Sequence, residues 1–344
     1  MTRTTPARPL DITGLFPELA PLARTAVRLH PRAGAPTAAD SSIGGPLLWP
    51  AAEPWPGCPE HTGPWHRGLD PVGVRRRRRI LAEAWARPRA EGAELLTEEE
   101  RAIVDRATEK SRIPQDGPVP LVPVAQLYAA DIPGLPCPEG ADLLQVLWCP
   151  FGHGPDQLPS TELRRRTAAD VVTPLGDVPQ PSVIGDDGFL PEPCVLHPEQ
   201  VTEYPAPHEL PRQLAERIDA WEEGQAEEAE ETEADDVAAE ISYQYDLAVA
   251  PGSKVGGHAP WSFSDPFPMS CPECAGPVRP LLTLDGTEWD GGSASWRPVE
   301  DAGYGGHHFL GPARDTQLEI GRSYSLQLYV CRASPGHPHV QNMQ

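Results

Sequence analysis

Cysteine and histidine residues recur in two groups whose spacing suits a bound metal ion. A tetrahedral zinc site takes four thiolate or imidazole ligands, commonly one pair two residues apart on a turn and a distant second pair. The two sets that fit this pattern are Cys271, Cys274, Cys331 and His337 in the second half of the chain and Cys58, His61, Cys149 and His153 in the first. We therefore predict two structural zinc sites, each with four protein ligands.

Other cysteines and histidines are weaker candidates for metal ligands. His339 and the His307–His308 pair lie close enough in sequence to replace His337. The segment Cys194-Val195-Leu196-His197 has the two-residue spacing but no matching second pair, and Cys137 is typical of a small buried residue. The chain contains no Gly-rich phosphate loop, no G-x-S-x-G motif and no H-E-x-x-H motif.

Tryptophan residues mark a second candidate site. The six that lie in or beside the elements carrying the metal ligands are Trp49, Trp55, Trp148, Trp261, Trp289 and Trp296. Aromatic side chains at such positions usually belong to a core, and the alternative is an aromatic cleft between the two halves of the chain. The residues we expect to line such a cleft are Trp261, Glu288, Trp289, Trp296 and Arg297, with Asp290, Glu300 and Asp301 as further polar groups of the same loop.

Four sequence elements recur in the same order in the two halves. They are a glycine pair (42–45 and 254–257), a Cys-Pro-Glu turn (58–61 and 271–274), an apolar segment (118–127 and 277–284) and a segment with Leu-Gln, Cys and Gly-His (142–154 and 324–338). Internal similarity of this length indicates one supersecondary unit built twice. We predict a β-rich α+β fold, internally duplicated about a pseudo-twofold axis, with helical insertions.

The segments around these elements suggest the domain limits. We expect a helical lead-in over 1–40 with a short amphipathic helix at 14–30, and a first repeat half over 41–205. That half contains a helical insertion at 70–112, in which Thr97 and Glu100 form a capping box. It also contains strands within 118–134 and 141–154 and a proline-rich connection over 155–205. An acidic helix or spacer follows at 206–240, and a second repeat half at 241–344 ends in a strand up to Cys331.

Composition limits the classes of function. The formal net charge of −22 disfavours general nucleic-acid binding, and the basic run Arg75–Arg79 is a local exception that is typical of a solvated helix face. No stretch of 18 apolar residues occurs, so we expect no membrane-spanning segment. We expect a cytoplasmic protein, in which the seven cysteines are thiols or metal ligands rather than disulfides.

The quoted residues resemble the YwqG-like family, a bacterial domain of unknown function. The likeness is carried by "SSIGGPLLWP…WPGCPEH", "SKVGGHAPW…CPECAGPVRPLLTLDG" and "LQLYVCRASPGHPH", and it covers about 41–61, 118–154 and 253–340. It implies a β-rich α+β fold with an internal duplication and a glycine pair opening each unit, and it transfers no catalytic residue. Relatives are thought to lie near toxin and immunity genes, so the resemblance implies a protein-binding role. His61 departs from the cysteine at the matching position of the second half.

Two functions follow from these features. The first is a zinc-stapled binding or regulatory protein of the immunity type, whose acidic surface would attract a basic partner protein. The second is a metal-dependent enzyme with its active-site cleft between the repeat halves, in which one metal would hold a water molecule. Nucleic-acid contact through Arg75–Arg79 is a third, minor alternative. The number of protein ligands per metal discriminates between the first two, because four ligands close a site and three leave it open.

Overall fold

The polypeptide forms an α+β fold dominated by antiparallel sheets. The computed structural model describes residues 2–90, 92–231, 240–261, 265–305 and 310–344. The α-helices within these ranges are α1 (Ile12–Leu15), α2 (Pro71–Ala86), α3 (Glu98–Thr108) and α4 (Arg212–Glu231). The strands are β1 (Arg24–Arg28), β2 (Arg32–Ala33), β3 (Ser42–Ile43), β4 (Trp65–Gly68), β5 (Ser111–Pro114), β6 (Val122–Tyr128), β7 (Leu143–His153), β8 (Leu158–Arg166), β9 (Cys194–Val195), β10 (Glu199–Glu203), β11 (Lys254–Gly256), β12 (Val278–Leu284), β13 (Leu326–Cys331) and β14 (Val340–Met343).

Twelve of these strands form two six-stranded sheets around a shared core. Sheet I has the order β2-β9-β3-β6-β7-β8, sheet II has the order β10-β1-β11-β12-β13-β14, and β4 with β5 makes a separate ribbon. One hydrophobic cluster contains Val124 and Leu144 from sheet I together with Leu282 and Leu328 from sheet II. Apolar side chains of the two sheets therefore pack against one another, and their burial holds the sheets together.

Each sheet contains one comparable bulge, and the strands around the two bulges pair in the same way. In sheet I the pairing of β6 with β7 shifts between Pro123 and Ala125, and in sheet II the pairing of β12 with β13 shifts between Pro280 and Leu282. Proline cannot donate to a ladder, which is why it is tolerated at a bulge. Beyond the bulge, β6 pairs with β3 on one side and with β7 on the other, and β12 likewise pairs with β11 and with β13.

Strand β1 lies in sheet II, although β2, the next strand along the chain, lies in sheet I, and β9 lies in sheet I directly before β10 of sheet II. Strand β1 pairs with β10 and β11 in sheet II, whereas β9 pairs with β2 and β3 in sheet I. Each of these strands is followed by Leu-His-Pro, at 29–31 and at 196–198, after which the chain enters the other sheet as β2 or β10. The backbone N–H of His197 donates to the carbonyl of Leu29 where the two segments pass each other.

Helices α2 and α3 lie within the segment 70–112, where the sequence predicts helical structure. Asp70 caps α2 by accepting the N–H groups of Val72 and Gly73, and α3 begins with the predicted capping box of Thr97 and Glu100. Helix α4 covers part of the predicted acidic helix, and residues 232–239 of that segment lie outside the described residues.

Two predictions of local structure are wrong. The helix expected at 14–30 gives way to a 3₁₀ helix at Pro17–Leu22 and then to β1, because prolines interrupt the α-helical hydrogen bonds and β-branched residues favour the strand. The connection expected over 155–205 contains β8, β9 and β10. The sequence does not predict strand β8, because its residues, LPSTELRRR, lack the alternation of apolar and polar side chains that is typical of a half-buried strand. Every helix in the described part of the chain is too short or too polar to cross a membrane.

Candidate metal centres

The first Cys/His cluster joins a turn to the end of a long strand. The turn is tied down because the N–H of Cys58 donates to the carbonyl of Val119, and the N–H of Val119 donates to the carbonyl of His61. Cys149 and His153 lie on β7, which pairs with β6 immediately beyond Val119. The structure thus brings together all four residues predicted from spacing in the first half, with their ligand atoms within 4.8 Å of one another.

The distances in this cluster suit a tetrahedral ion. The sulfur of Cys58 lies 3.2 Å from Nδ1 of His61 and 3.8 Å from Nε2 of His153, and the sulfur of Cys149 lies 3.5 Å from Nδ1 of His61. Zinc bonds of about 2.3 Å to sulfur and about 2.0 Å to nitrogen separate tetrahedral ligand atoms by roughly 3.3–3.8 Å. These four residues could therefore hold a metal ion without rearrangement of the backbone.

The second cluster has the same construction in sheet II. Cys271 begins a tight turn in which its N–H donates to the carbonyl of Gly276, and Ala275 donates back to the carbonyl of Cys271. Cys331 is the last residue of β13, and His337 follows a turn beyond it. All four predicted ligand atoms again lie within 4.8 Å of one another.

Ligand distances in the second cluster are equally suitable. The sulfur of Cys271 lies 3.5 Å from Nδ1 of His337, and the sulfurs of Cys274 and Cys331 are 3.5 Å apart. All seven cysteines of the chain are free thiols in the structure, so these two sulfurs are close neighbours without a disulfide bond. This cluster could hold a metal ion as well.

The surroundings of the thiols differ between the clusters. The backbone N–H groups of Ser334 and Ala333 hold the pKa of the Cys331 thiol below its ordinary value, although desolvation acts in the opposite direction. Burial raises the pKa of Cys149, and the neighbouring Cys58 adds to this effect. Metal ligation requires the thiolate form of cysteine. In the second cluster the backbone of Ala333 and Ser334 already stabilises the thiolate of Cys331, whereas in the first cluster a bound cation would have to offset the burial of Cys149.

A glutamate in each turn accompanies the histidine of the cluster, a relationship that the sequence alone does not predict. An Oε1 atom of Glu60 lies 3.1 Å from Nδ1 of His153, and an Oε1 atom of Glu273 lies 3.5 Å from Nε2 of His337. In both cases the carboxylate faces the ring nitrogen that points away from the cysteines. A carboxylate in this position orients a metal-bound imidazole and raises its basicity. The shared Cys-Pro-Glu sequence was the signal that could have identified these two residues.

The weaker candidates lie apart from both clusters. The hydroxyl oxygen of Thr161, on β8, lies 2.7 Å from Nε2 of His339. His339 therefore contacts the edge of sheet I. Cys194 is buried in the core, and Cys137 packs against the same core, as expected for a small buried residue. His197 is not among the residues of either cluster, and His307–His308 lie outside the described residues.

The five candidate cleft residues separate into two groups. Trp261 and Trp289 line a cavity of about 250 Å³, whose described lining residues all lie between Ala206 and Gln344. This cavity is therefore formed by the later part of the chain and not by the interface of residues 41–205 with 241–344.

The other three residues of the candidate cleft have internal partners. The indole nitrogen of Trp296 donates to the carbonyl of Tyr245, and the guanidinium of Arg297 donates to the carbonyl of Tyr304. Glu288 is buried and accepts the backbone N–H of Ser253 at 2.9 Å. These contacts fix loop conformations beside the cavity.

The basic run on α2 is partly internal. Arg77 forms an ion pair with Asp187, and Arg78 forms one with Glu192 while donating to the carbonyl of Leu190. These two arginines therefore dock α2 onto the chain that leads to β9. Arg76 and Arg79 are exposed on the same helix.

A scan against protein-family models and a search of curated proteins both return no match for this chain.

Proposed function

We propose that both clusters bind zinc and that each zinc ion is structural. The observation that carries this proposal is that each cluster contributes four ligand atoms within 4.8 Å of one another, two or three of them cysteine sulfurs. Thiolate and imidazole donors in a tetrahedral set favour zinc over hard cations such as Mg²⁺ or Ca²⁺, which take oxygen ligands. Four protein ligands leave no position for a reactive water molecule.

The enzymatic alternative is less well supported. It requires one metal with three protein ligands and an adjacent cleft for substrate. Each described cluster instead has a fourth Cys or His ligand in place, and the residues that line the 250 Å³ cavity include none of the eight cluster residues. We therefore favour a binding or regulatory protein over a metalloenzyme.

We propose a basic protein as the partner and the cytoplasm as the location. The support for the partner is the net charge of −22, which would accelerate association with a positively charged protein. Seven free thiols suit a reducing compartment. The resemblance to YwqG-like proteins suggests the immunity type, in which such a partner would be neutralised by binding.

We also propose that the fold arose by internal duplication. The support is the matched bulge after Pro123 and Pro280, the matched clusters and the two Leu-His-Pro crossings. With β1 and β9 as the first strand of each unit, the second unit begins near residue 194. Helix α4 then becomes an insertion inside the second unit rather than a spacer between the units.

Elemental analysis of the purified chain tests the metal proposal. We expect about two zinc ions per chain, and about one in each of the variants Cys58→Ser and Cys271→Ser. Cys137→Ser is the matched control and should retain both ions, because Cys137 belongs to neither cluster. Another metal, or full zinc content in either cluster variant, would contradict the proposal.

The partner proposal has a separate test. Pull-down from the native host at low and high salt should recover a basic protein at low salt, with less recovered at high salt because screening weakens exposed charge attraction. Recovery of no protein under either condition would contradict this part alone and would leave the metal sites unaffected.

A further inference from the structure

The cavity beside sheet II has aromatic walls and takes no part in either metal cluster. Tyr245, Trp261 and Trp289 all line it. The tyrosine is half exposed, whereas the two tryptophans are buried. A volume of about 250 Å³ is just below the usual range for drug-sized ligands and suits a group of the size of one amino-acid side chain.

The charges of the described lining are predominantly acidic. Asp285 and Asp290 contribute carboxylates and Arg314 contributes a guanidinium. Burial raises the pKa of Asp285 to about 6, and Arg314 opposes this shift only in part. Burial likewise raises the pKa of Glu288, next to the cavity wall, to about 7. A positive charge placed in the cavity would offset the desolvation of these carboxylates.

We propose that this cavity binds a small organic cation, the chemistry of a lysine or arginine side chain. The aromatic faces attract a cation through their quadrupoles, and Asp285 and Asp290 supply charge-assisted hydrogen bonds. The proposal concerns a site separate from the zinc clusters and does not depend on their occupancy.

Calorimetric titration of the full chain with three matched probes tests this proposal. The probes are the Nα-acetyl N-methylamides of lysine, norleucine and glutamate, which present a cation, a neutral chain and an anion on the same amide scaffold. We expect the lysine probe to bind and the other two to bind at least about tenfold more weakly, because only the first can pair with the carboxylates.

Variants locate the binding in the cavity. Asp285→Asn should weaken binding of the lysine probe about tenfold or more, and Tyr245→Leu about two- to fivefold, because the first removes a charge and the second an aromatic face. Asp105→Asn, on exposed helix α3, removes the same charge elsewhere and should change nothing. Binding of the norleucine or glutamate probe as tight as that of the lysine probe would overturn the proposal. Absence of binding by the lysine probe, or unchanged affinity in a Tyr245→Leu protein with wild-type circular dichroism, would also overturn it.

Discussion

The ammonium group of Lys254 lies 2.5 Å from a carboxylate oxygen of Glu203, and both side chains are fully buried. Lys254 also donates to the carbonyl of His258, while Glu203 accepts the backbone N–H groups of Ala250 and His258. These two residues lie on β11 and β10, the strands on either side of β1. Their ion pair therefore ties together the two strands between which β1 lies.

Replacement of Lys254 by methionine should destabilise the protein strongly. The variant Lys254→Met leaves the carboxylate of Glu203 buried without its charged partner, which typically costs about 3–5 kcal/mol. The free energy of unfolding in urea measures this cost. Lys110→Met is the matched control, because Lys110 is the other lysine of the chain and is exposed, and it should change stability by less than about 0.5 kcal/mol. Equal urea midpoints of unfolding for the two variants would contradict a stabilising role for the buried ion pair.

The second glycine of the second pair should tolerate no side chain. Gly257 has φ of +69°, and a Cβ atom there would lie 2.2 Å from a carboxylate oxygen of Glu203 and 2.7 Å from Cβ of Ala26. Gly257→Ala should therefore lower the free energy of unfolding by more than the roughly 1 kcal/mol of an ordinary unfavourable glycine substitution. Gly224→Ala, in helix α4 with open space around it, should instead raise stability by about 0.5–1 kcal/mol. Thermal unfolding of both variants tests whether the first is less stable and the second more stable than the wild type.

Division of the chain at Val172 should give fragments that fold only together. A break at Val172, which is 88% exposed, separates β1–β8 from β9–β14. The first fragment then lacks β9 between β2 and β3, and the second lacks β1 between β10 and β11. Each isolated fragment has a missing strand inside its sheet, with unpaired backbone groups on both sides of the gap.

Co-expression and separate expression of residues 2–172 and 173–344 provide the measurement. We expect a 1:1 complex that unfolds cooperatively when both fragments are present, and aggregation or loss of the tertiary circular dichroism signal for each fragment alone. Cooperative unfolding of either fragment by itself would show that its sheet is stable without the missing strand.

The metal clusters could be predicted from sequence because their ligands follow local rules. Cys58 and His61, or Cys271 and Cys274, are two residues apart on turns, and each second pair closes a set of four. The partners that orient the histidines were not predicted, since Glu60 and Glu273 are exposed acids on turns and resemble many surface carboxylates. Their role depends on where His153 and His337 arrive in space.

The place of β1 in sheet II could not be predicted because it depends on pairing between distant segments. The apolar side chains of β1 have the same pattern whether the strand pairs in sheet I or with β10 and β11 in sheet II. The Leu-His-Pro sequences at 29–31 and 196–198 are short, and three residues alone do not establish a repeat. Only the register of β1 and β9 in opposite sheets gives these sequences a structural meaning.

Acid should destabilise the protein through its buried histidines. Burial lowers the pKa of His30 and of His258 to about 4, from an ordinary value near 6.5. Between pH 6.5 and 4 the unfolded chain binds a proton that each folded histidine does not, so stability is complete above pH 6.5 and is lost as the pH falls. Each histidine should contribute a slope of about 1.4 kcal/mol per pH unit within that window.

The variant His30→Asn isolates one of these two contributions. His30 has φ of +43°, a conformation that asparagine adopts more readily than most residues, and asparagine does not titrate. The slope of unfolding free energy against pH between 5 and 6.5 should fall by about 1.4 kcal/mol per pH unit relative to wild type. Protonation of the metal ligands is common to both proteins and cancels in the comparison. An unchanged slope would mean that His30 is protonated equally in the folded and unfolded chains.

Replacement of the carboxylates behind the histidine ligands should weaken metal binding without removing a ligand. Glu60→Gln and Glu273→Gln each abolish the negative charge beside the outer ring nitrogen of His153 or His337, and loss of such a partner typically costs about 10–100-fold in metal affinity. The Glu60 variant should show the larger loss, because its oxygen is 3.1 Å from the imidazole and that of Glu273 is 3.5 Å away. Competition with a chromophoric chelator measures both affinities.

The chain supplies its own control for these two variants. Cys137-Pro138-Glu139 repeats the Cys-Pro-Glu sequence of both turns, yet Cys137 belongs to neither cluster. Glu139→Gln removes the same charge from the same tripeptide and should leave both zinc ions bound with wild-type affinity. If it weakened zinc binding as much as Glu60→Gln, the effect would come from the overall charge of the protein. Weakening confined to Glu60→Gln and Glu273→Gln would instead mean that the carboxylate acts through the imidazole it faces, since the position beside the histidine is what distinguishes these two glutamates from Glu139.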